Sequence, residues 1–480
     1  MKDTIIKQYT KSLPVKKQAL AFSEINEYCT LLKKRGLSDD KVCAEIAIDV
    51  IKNGYNVKKV RAEVYDKVNY MCRCYMDRIA RFRLDYDFIP DYNAVKTVLI
   101  SLFEHSPILH SMFVDNHIAP YWKVCDYNID DIFSVVNTDD IEKCAYDFLV
   151  QTIDLTHNVQ LKVQLCVQNS KCALCVIWNH MIMDGGGIKQ LLGDFFKGYN
   201  EYVAEKKKTP LDFRVGSRKL GEVYRDLPPK IKKAAKTKFA NKTSKEKKTL
   251  PFTSVSDQDH NILITKVISA EIFMNAVKKA KEIGATANDV LSTSYIDATY
   301  KMLGCDDEDL TLSCAVDLRR YMNDPNRLGY TNQTTFMPCT VSKRGTTVFD
   351  TLKEVAECNK KSKEDEFLGL YGLPLINYAF TQLIYIQAEV MVKLFYNNAN
   401  LSVSNVGRLD GKFCALDGHK PTFAMGAGAA KKKNCAVATA LSLDGNAIIT
   451  ICIQGTEKDK EMIETFFNHM EDSMKEIADN

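Results

Sequence analysis

Two residues in this sequence are spaced for proton chemistry. His180 is an imidazole that can take a proton near neutral pH, and Asp184 is a carboxylate a few positions later. Gly185, Gly186 and Gly187 follow without interruption. Glycine lets a backbone turn tightly or lets a ligand come close. An imidazole placed there can take up or give a proton near neutral pH. The plainer reading is a satisfied core histidine and an aspartate capping a helix. The neighbouring elements favour the first. Residues 172–178 form a continuous apolar run, the mark of a buried strand, and Ile188, Leu191, Leu192, Phe195 and Phe196 recur at helical spacing. The pair thus sits where a strand ends and a helix begins, on a loop held by rigid elements.

The chain that must position this loop reads as mixed strand and helix. Residues 78–88 alternate as a strand, and Asp91 opens a helix with Val95, Val98, Leu99, Leu102 and Phe103 on one face. Pro107 ends that helix and leaves His105 in a loop. Residues 159–168 alternate strictly, so a hairpin through 169–171 delivers His180. Later, 261–269 and 310–316 read as strands, the second ending at Asp317-Leu318-Arg319-Arg320. Thr286 caps a helix running to Met302. Residues 400–407 end another strand, 434–443 and 447–454 form a hairpin, and Met462 to Met474 mark a closing amphipathic helix.

The segment Asn179-His180-Met181-Ile182-Met183-Asp184-Gly185 resembles the H-x-x-x-D-G motif of the coenzyme A-dependent acyltransferase superfamily. That superfamily includes chloramphenicol acetyltransferase, nonribosomal-peptide condensation domains, wax ester synthases and alcohol acyltransferases. The resemblance runs from about Val60 to the C-terminus. It departs at Asn179, where condensation domains carry a first histidine, and at Gly187, where they carry serine or alanine. It implies an α/β fold of two chloramphenicol-acetyltransferase-like lobes, mixed sheets flanked by helices, forming a pseudo-dimer with a central tunnel. It implies His180 as general base and Asp184 as a loop-holding residue, with Gly185 beside it. The arginine that pairs with Asp184 is implied to be Arg319, with Arg320 as the fallback. Asn332, in Gly329-Tyr330-Thr331-Asn332, and Ser404 and Asn405, in a Ser-Asn-x-Gly segment, are implied near the tunnel, the latter two as oxyanion donors. No Gly-x-Ser-x-Gly elbow occurs, so direct attack in a ternary complex is expected rather than a covalent acyl-enzyme.

Composition bounds the rest. At 480 residues and 46% apolar residues the chain can form two or three domain-sized units. The expected division is an N-terminal helical extension (1–58), a first lobe with the motif (59–204), a lysine-rich crossover linker (205–255) and a second lobe (256–480). The extension reads as a helical hairpin: Gly36 stops the first helix, Ser38 caps the second, Val42, Ile46, Val50 and Ile51 form its stripe, and Gly54 closes it. Docking on the catalytic body is favoured over partner binding. A net charge of +4 implies no global attraction to nucleic acid, and the lysines of 230–248 lack interleaved aromatics. They and Lys431-Lys432-Lys433 read as solvated faces, or as attraction for the phosphates of coenzyme A or an acidic carrier. The 16 cysteines lie mostly in apolar runs, and Cys172-x-x-Cys175 reads as core, not as a metal site. No export signal is evident, so a cytoplasmic location is expected. Residues 373–396 carry too many polar groups for a spanning helix and read as one long buried or half-buried helix. The expectation is a monomeric acyltransferase with acyl-CoA as co-substrate, a small alcohol or amine acceptor, no resident prosthetic group or metal, no nucleic acid and no transmembrane segment. An acyl carrier protein is the alternative donor, and a silent binding module of the same fold the alternative class.

Overall fold

Alternating and continuous apolar runs pair into sheets because each strand has at least one face to bury. The computed structural model describes residues 2–13, 15–34, 37–53, 59–154, 157–205, 216–235, 248–395 and 399–480. The strands in its first half are β1 (Lys59–Arg61), β2 (Ile79–Tyr86), β3 (Ser111–Val114), β4 (Tyr121–Val124), β5 (Phe133–Asn137), β6 (Leu161–Gln168) and β7 (Lys171–Asn179). In the second half are β8 (His260–Ile268), β9 (Leu310–Asp317), β10 (Thr334–Val341), β11 (Leu401–Arg408), β12 (Phe423–Ala427), β13 (Ala436–Leu443) and β14 (Asn446–Gly455).

Two mixed sheets result, each flanked by helices. The first runs β12-β2-β7-β6-β5 and the second β10-β9-β11-β13-β14-β8, with a small β1-β4-β3 sheet beside the first. Each large sheet has its own buried apolar core. β12 lies late in the chain yet pairs antiparallel with β2, Ala424 opposite Leu84, so the second half lends a strand to the first lobe. β2, β7 and β6 form antiparallel pairs, with Ile79 opposite Asn179. Cys172 and Cys175 are fully buried in β7, where they pack as small apolar groups.

Five local expectations are corrected. The N-terminal extension has three helices, Lys2–Lys11, Val15–Lys34 and Asp40–Asn53, not a hairpin. Ile6, Ile25, Cys29, Leu32, Cys43 and Ala47 form its own small core, and Glu45 pairs with Arg225 at 2.6 Å. Asp39, not Ser38, caps the third helix, because its carboxylate accepts from the amides of Lys41 and Val42. Gly36 and Gly54 lie outside the described residues, as do the side chains of Val50 and Ile51. His105 is the last residue of helix Tyr92–His105, with Nδ1 2.8 Å from the Ser101 carbonyl. The long helix is two, Leu373–Gln382 and Tyr385–Phe395. It breaks because the amides of Tyr385 and Ile386 donate to the carbonyls of Ile118 and His117 in the first lobe. Among the described residues no helix is long and apolar enough to cross a membrane.

The crossover is the fifth. Its lysines at 236, 238, 242, 245 and 247 lie outside the described residues, but 216–235 is folded and wedged between the lobes. Arg218 pairs with buried Asp66 at 2.8 Å, and Arg327 with Asp226 at 2.7 Å. Ion pairs of this kind fix position where a solvated linker would not.

Candidate active site

β7 ends at Asn179 beside the start of β2, and the amide of His180 donates to the Arg78 carbonyl at 2.7 Å. Asn179 is fully buried and structural. Its Oδ1 accepts from the Met181 amide at 3.0 Å, and its Nδ2 donates to Gln160 Oε1 at 2.8 Å. The loop then turns into helix Gly185–Glu205.

Asp184 has two jobs at once. Oδ1 accepts from the Gly187 amide at 2.8 Å, which caps the helix. The same carboxylate meets the Arg319 guanidinium through two bonds, at 3.0 and 3.2 Å. It also accepts from the Gln333 amide at 2.6 Å and the Thr334 hydroxyl at 2.8 Å. Burial pushes this carboxyl up, but Arg319 and the amides of Gln333 and Gly187 outweigh it and hold it below the usual range. Arg319 also donates to the Thr331 carbonyl and to Asp317. Arg320 makes no contact with Asp184: its guanidinium sits over the Tyr321 ring at 5.8 Å.

The glycines explain themselves by what a Cβ would strike. At Gly186 it would collide with the Arg319 guanidinium, and at Gly187 it would lie 2.6 Å from Met183 Cβ and 2.8 Å from the Thr331 carbonyl. At Gly185 it would meet nothing within 4 Å. The need for glycine is therefore at Gly186 and Gly187, while Gly185 simply lines the cavity.

Strand ends of both lobes converge around one cavity of about 320 Å³. His180, Asp184 and Gly185 line it from the first lobe, Asn332, Ser404 and Asn405 from the second. Asn332 is buried and faces the loop rather than the void: its Nδ2 donates to the carbonyls of His180 (3.0 Å) and Met181 (2.9 Å). Asn405 Oδ1 accepts from the Gly407 amide at 2.8 Å, across a bulge in the β11–β13 pairing where Gly407 has φ 85°. That bulge bends the end of β11 around the void. Burial holds His180 below its ordinary value of 6.5; Asp184 and the ring's own carbonyl pull it up, and Lys431 pushes it further down. The imidazole is accordingly neutral near pH 7 and able to accept a proton. Its Nδ1 meets no partner within hydrogen-bond limits among the described residues.

Sequence reasoning missed two groups here, Tyr65 and Arg218, and treated Lys431 only as part of a lysine run. Tyr65 presents a buried hydroxyl without a hydrogen-bond partner to the cavity. Arg218, from the crossover, donates to the Ile182 carbonyl at 3.1 Å and to the Tyr330 carbonyl at 3.1 Å, tying the histidine loop to the second lobe. Nothing in its surroundings in the sequence marks it. Lys431 lines the cavity, whereas Lys433 is buried against Asp259 at 2.6 Å and Lys432 is exposed. The three lysines therefore do not share a solvated face, and only the run itself pointed to this segment.

No protein-family model and no curated protein matches the chain. Solved structures do resemble it in fold. The epimerization domain from the third module of tyrocidine synthetase B superposes with a TM-score of 0.62 at 15% identity, covering 89% of this chain and 99% of that one. The first condensation domain of the calcium-dependent antibiotic synthetase gives 0.63 at 12% identity, covering 88% and 98%. A trichothecene 15-O-acetyltransferase from Fusarium sporotrichioides gives 0.62 at 12% identity, covering 87% and 95%. The chain thus has the two-lobed α/β fold that condensation domains share with that acetyltransferase, preceded by N-terminal helices.

Proposed function

We propose that this protein is an acyltransferase, moving an acyl group from a thioester to an alcohol or amine by direct attack, with His180 as general base. The observation that carries the reading is a histidine in the wall of an inter-lobe cavity, on a loop held by both lobes. In the proposed step the acceptor's hydroxyl or amine attacks the thioester carbonyl while His180 takes its proton. The new C–O or C–N bond forms as a tetrahedral oxyanion. Collapse of that intermediate breaks the C–S bond, and the imidazolium returns the proton to the departing thiolate. Ser404, Asn405 and Tyr65 line the cavity and are the candidates to donate to the oxyanion. Asp184 holds the loop and accepts no proton in this scheme, since Arg319 and three further donors occupy it.

Acyl-CoA is the proposed donor, as co-substrate and not as a resident group. The proposed setting is a reduced, cytoplasmic one, in keeping with the free, mostly buried cysteines among the described residues. Thiol release from acetyl-CoA and longer acyl-CoAs, with pooled alcohols and amines, tests the reading. Release that requires an acceptor and is lost in His180→Ala supports it. A folded protein that releases thiol only from acyl-carrier thioesters would move the donor to a carrier protein. No release from either would leave a binding module.

A further inference from the structure

The cavity wall contains a cation with no carboxylate in salt-bridge range among the described residues. Lys431 sits between β12 and β13, with its backbone pinned to β14: its amide donates to the Cys452 carbonyl at 3.1 Å, and its carbonyl accepts from the Gln454 amide at 2.7 Å. Its ammonium has one hydrogen-bond partner among the described residues, the Met76 thioether at 3.1 Å. A thioether is a weak acceptor and carries no charge. Lys67 shares this lack, with the Phe380 carbonyl at 2.8 Å and no carboxylate in salt-bridge range among the described residues, but four other little-exposed cations are treated differently. Arg81, Arg218, Arg319 and Lys433 have carboxylates at 2.6, 2.8, 3.0 and 2.6 Å respectively. Asp77 is the carboxylate acting on Lys431 from a distance, and it is committed elsewhere, to Arg81, Asn261 and the amides of Ile79 and Ala430.

The rest of the cavity does not neutralise this charge. Asp184 is enclosed by its five donors, and Asp317 is engaged by Arg319 at 3.1 Å. Lys189, a second cation in the wall, spends its ammonium on the Val406 carbonyl. Lys431 is part-buried in the cavity wall, and a desolvated charge without a counter-charge is costly, so an anion entering the cavity would relieve that cost. Burial also holds the Lys431 ammonium below the ordinary lysine range, a tendency that a bound anion would reverse.

We propose that the substrate seated beside His180 carries a carboxylate that pairs with Lys431. The proposal rests on the acyl-transfer reading, and it leaves two sources for the carboxylate: the acceptor (a hydroxy or amino acid) or the acyl group (a half-thioester of a dicarboxylic acid).

The test uses the full chain as wild type, Lys431→Met and Lys431→Arg. One arm compares succinyl-CoA with butyryl-CoA. The other offers acetyl-CoA with hydroxy and amino acids against their neutral amides. In one arm, kcat/KM for the carboxylate member is expected to exceed that of its neutral counterpart by about tenfold or more, since a buried charge left unpaired discriminates strongly. Lys431→Met should erase that ratio and Lys431→Arg should retain most of it. Equal turnover of charged and neutral members in both arms, or a preference unchanged in Lys431→Met, would overturn the proposal while leaving acyl transfer standing. A second readout is independent of turnover, because Trp178 lines the same cavity. Saturable fluorescence quenching by succinate or lactate, absent with succinamide or lactamide and lost in Lys431→Met, supports the anion site even if no thiol is released. Quenching that ignores charge, or none at all, in a protein that also shows no charge preference in turnover overturns it.

Discussion

Replacing Asp184 with alanine should cost stability before it costs chemistry. The carboxylate accepts five hydrogen bonds, from the Gly187 and Gln333 amides, the Thr334 hydroxyl and both Nη atoms of Arg319. Removing it leaves an arginine only 8% exposed with half its charge balance gone. Breaking one side of a buried pair costs ~3–5 kcal/mol. The two orphaned amides push toward the upper end of that range, and Asp317, still 3.1 Å from Arg319, pushes toward the lower. Such a loss is a large share of the roughly 5–15 kcal/mol by which domains are stable. Urea denaturation followed by circular dichroism reads it as a lowered midpoint. The paired variant Asp184→Ala/Arg319→Ala should be less destabilised than the two singles together, by a coupling of ~1–3 kcal/mol. Linkage gives a further check. Asp184 is depressed in the fold, so its stabilisation is present above the unfolded carboxylate range and is lost as pH falls through the lower, folded value. A wild-type midpoint with no turnover in Asp184→Ala would refute the reasoning and give the carboxylate a part in the chemistry.

His180→Ala should reduce thiol release by about 10²–10⁴-fold, the usual share of a general base, with the urea midpoint close to wild type. In the wild type, kcat/KM should fall on acidification with an apparent pKa below the ordinary histidine value of 6.5, because the base must be neutral and burial favours that form; an acidic limb above 6.5 would contradict this. Gly187→Ala should destabilise by about 1–3 kcal/mol through overpacking against Met183 and Thr331, while Gly185→Ala, with open space at its Cβ, should hold or raise stability; thermal melts of the two variants compare them directly. Asn332→Ala removes the donor shared by the His180 and Met181 carbonyls and should lower kcat more than it raises KM, with rescue by neither Asp nor Leu, since neither supplies two N–H groups.

The two-lobed fold was legible because its strands bury faces that periodicity reveals. Residues 159–168 alternate and 172–178 do not, which is the difference between β6, half exposed, and β7, covered on both sides. The histidine loop could be seen for the same reason: an apolar strand that ends in His-x-x-x-Asp has no solvent face to hide it. What stayed illegible depends on contacts between distant parts of the chain. β12 is five residues pairing with β2 across more than 330 positions, and no local pattern records such a partner. Residues 216–235 read as linker because composition cannot distinguish a solvated arginine from Arg218 buried on Asp66. Lysines 431 and 433 look alike in sequence and differ wholly in fate, one in a carboxylate cage and the other in a cavity wall.

These contacts also show that the loop, carried by one lobe, is restrained by both. The first lobe holds the His180 loop at the Arg78 carbonyl, through Asn179 at the Met181 amide and through the Trp178 indole at the Met183 carbonyl, while the second gives Asn332 to two of its carbonyls and Arg319, Gln333 and Thr334 to Asp184. Arg218 adds a tie at Ile182 and joins both lobes through Asp66 and Tyr330. Separation of the lobes would remove the Asn332, Arg319, Gln333 and Thr334 bonds together, so the loop keeps its full set of restraints only while the cavity is closed on both sides. Asp184 is the residue through which that dependence passes. One short carboxylate reaches the helix start and the opposing arginine at once, and the glycines at 186 and 187 leave the room that lets Arg319 and the Thr331 backbone come that near.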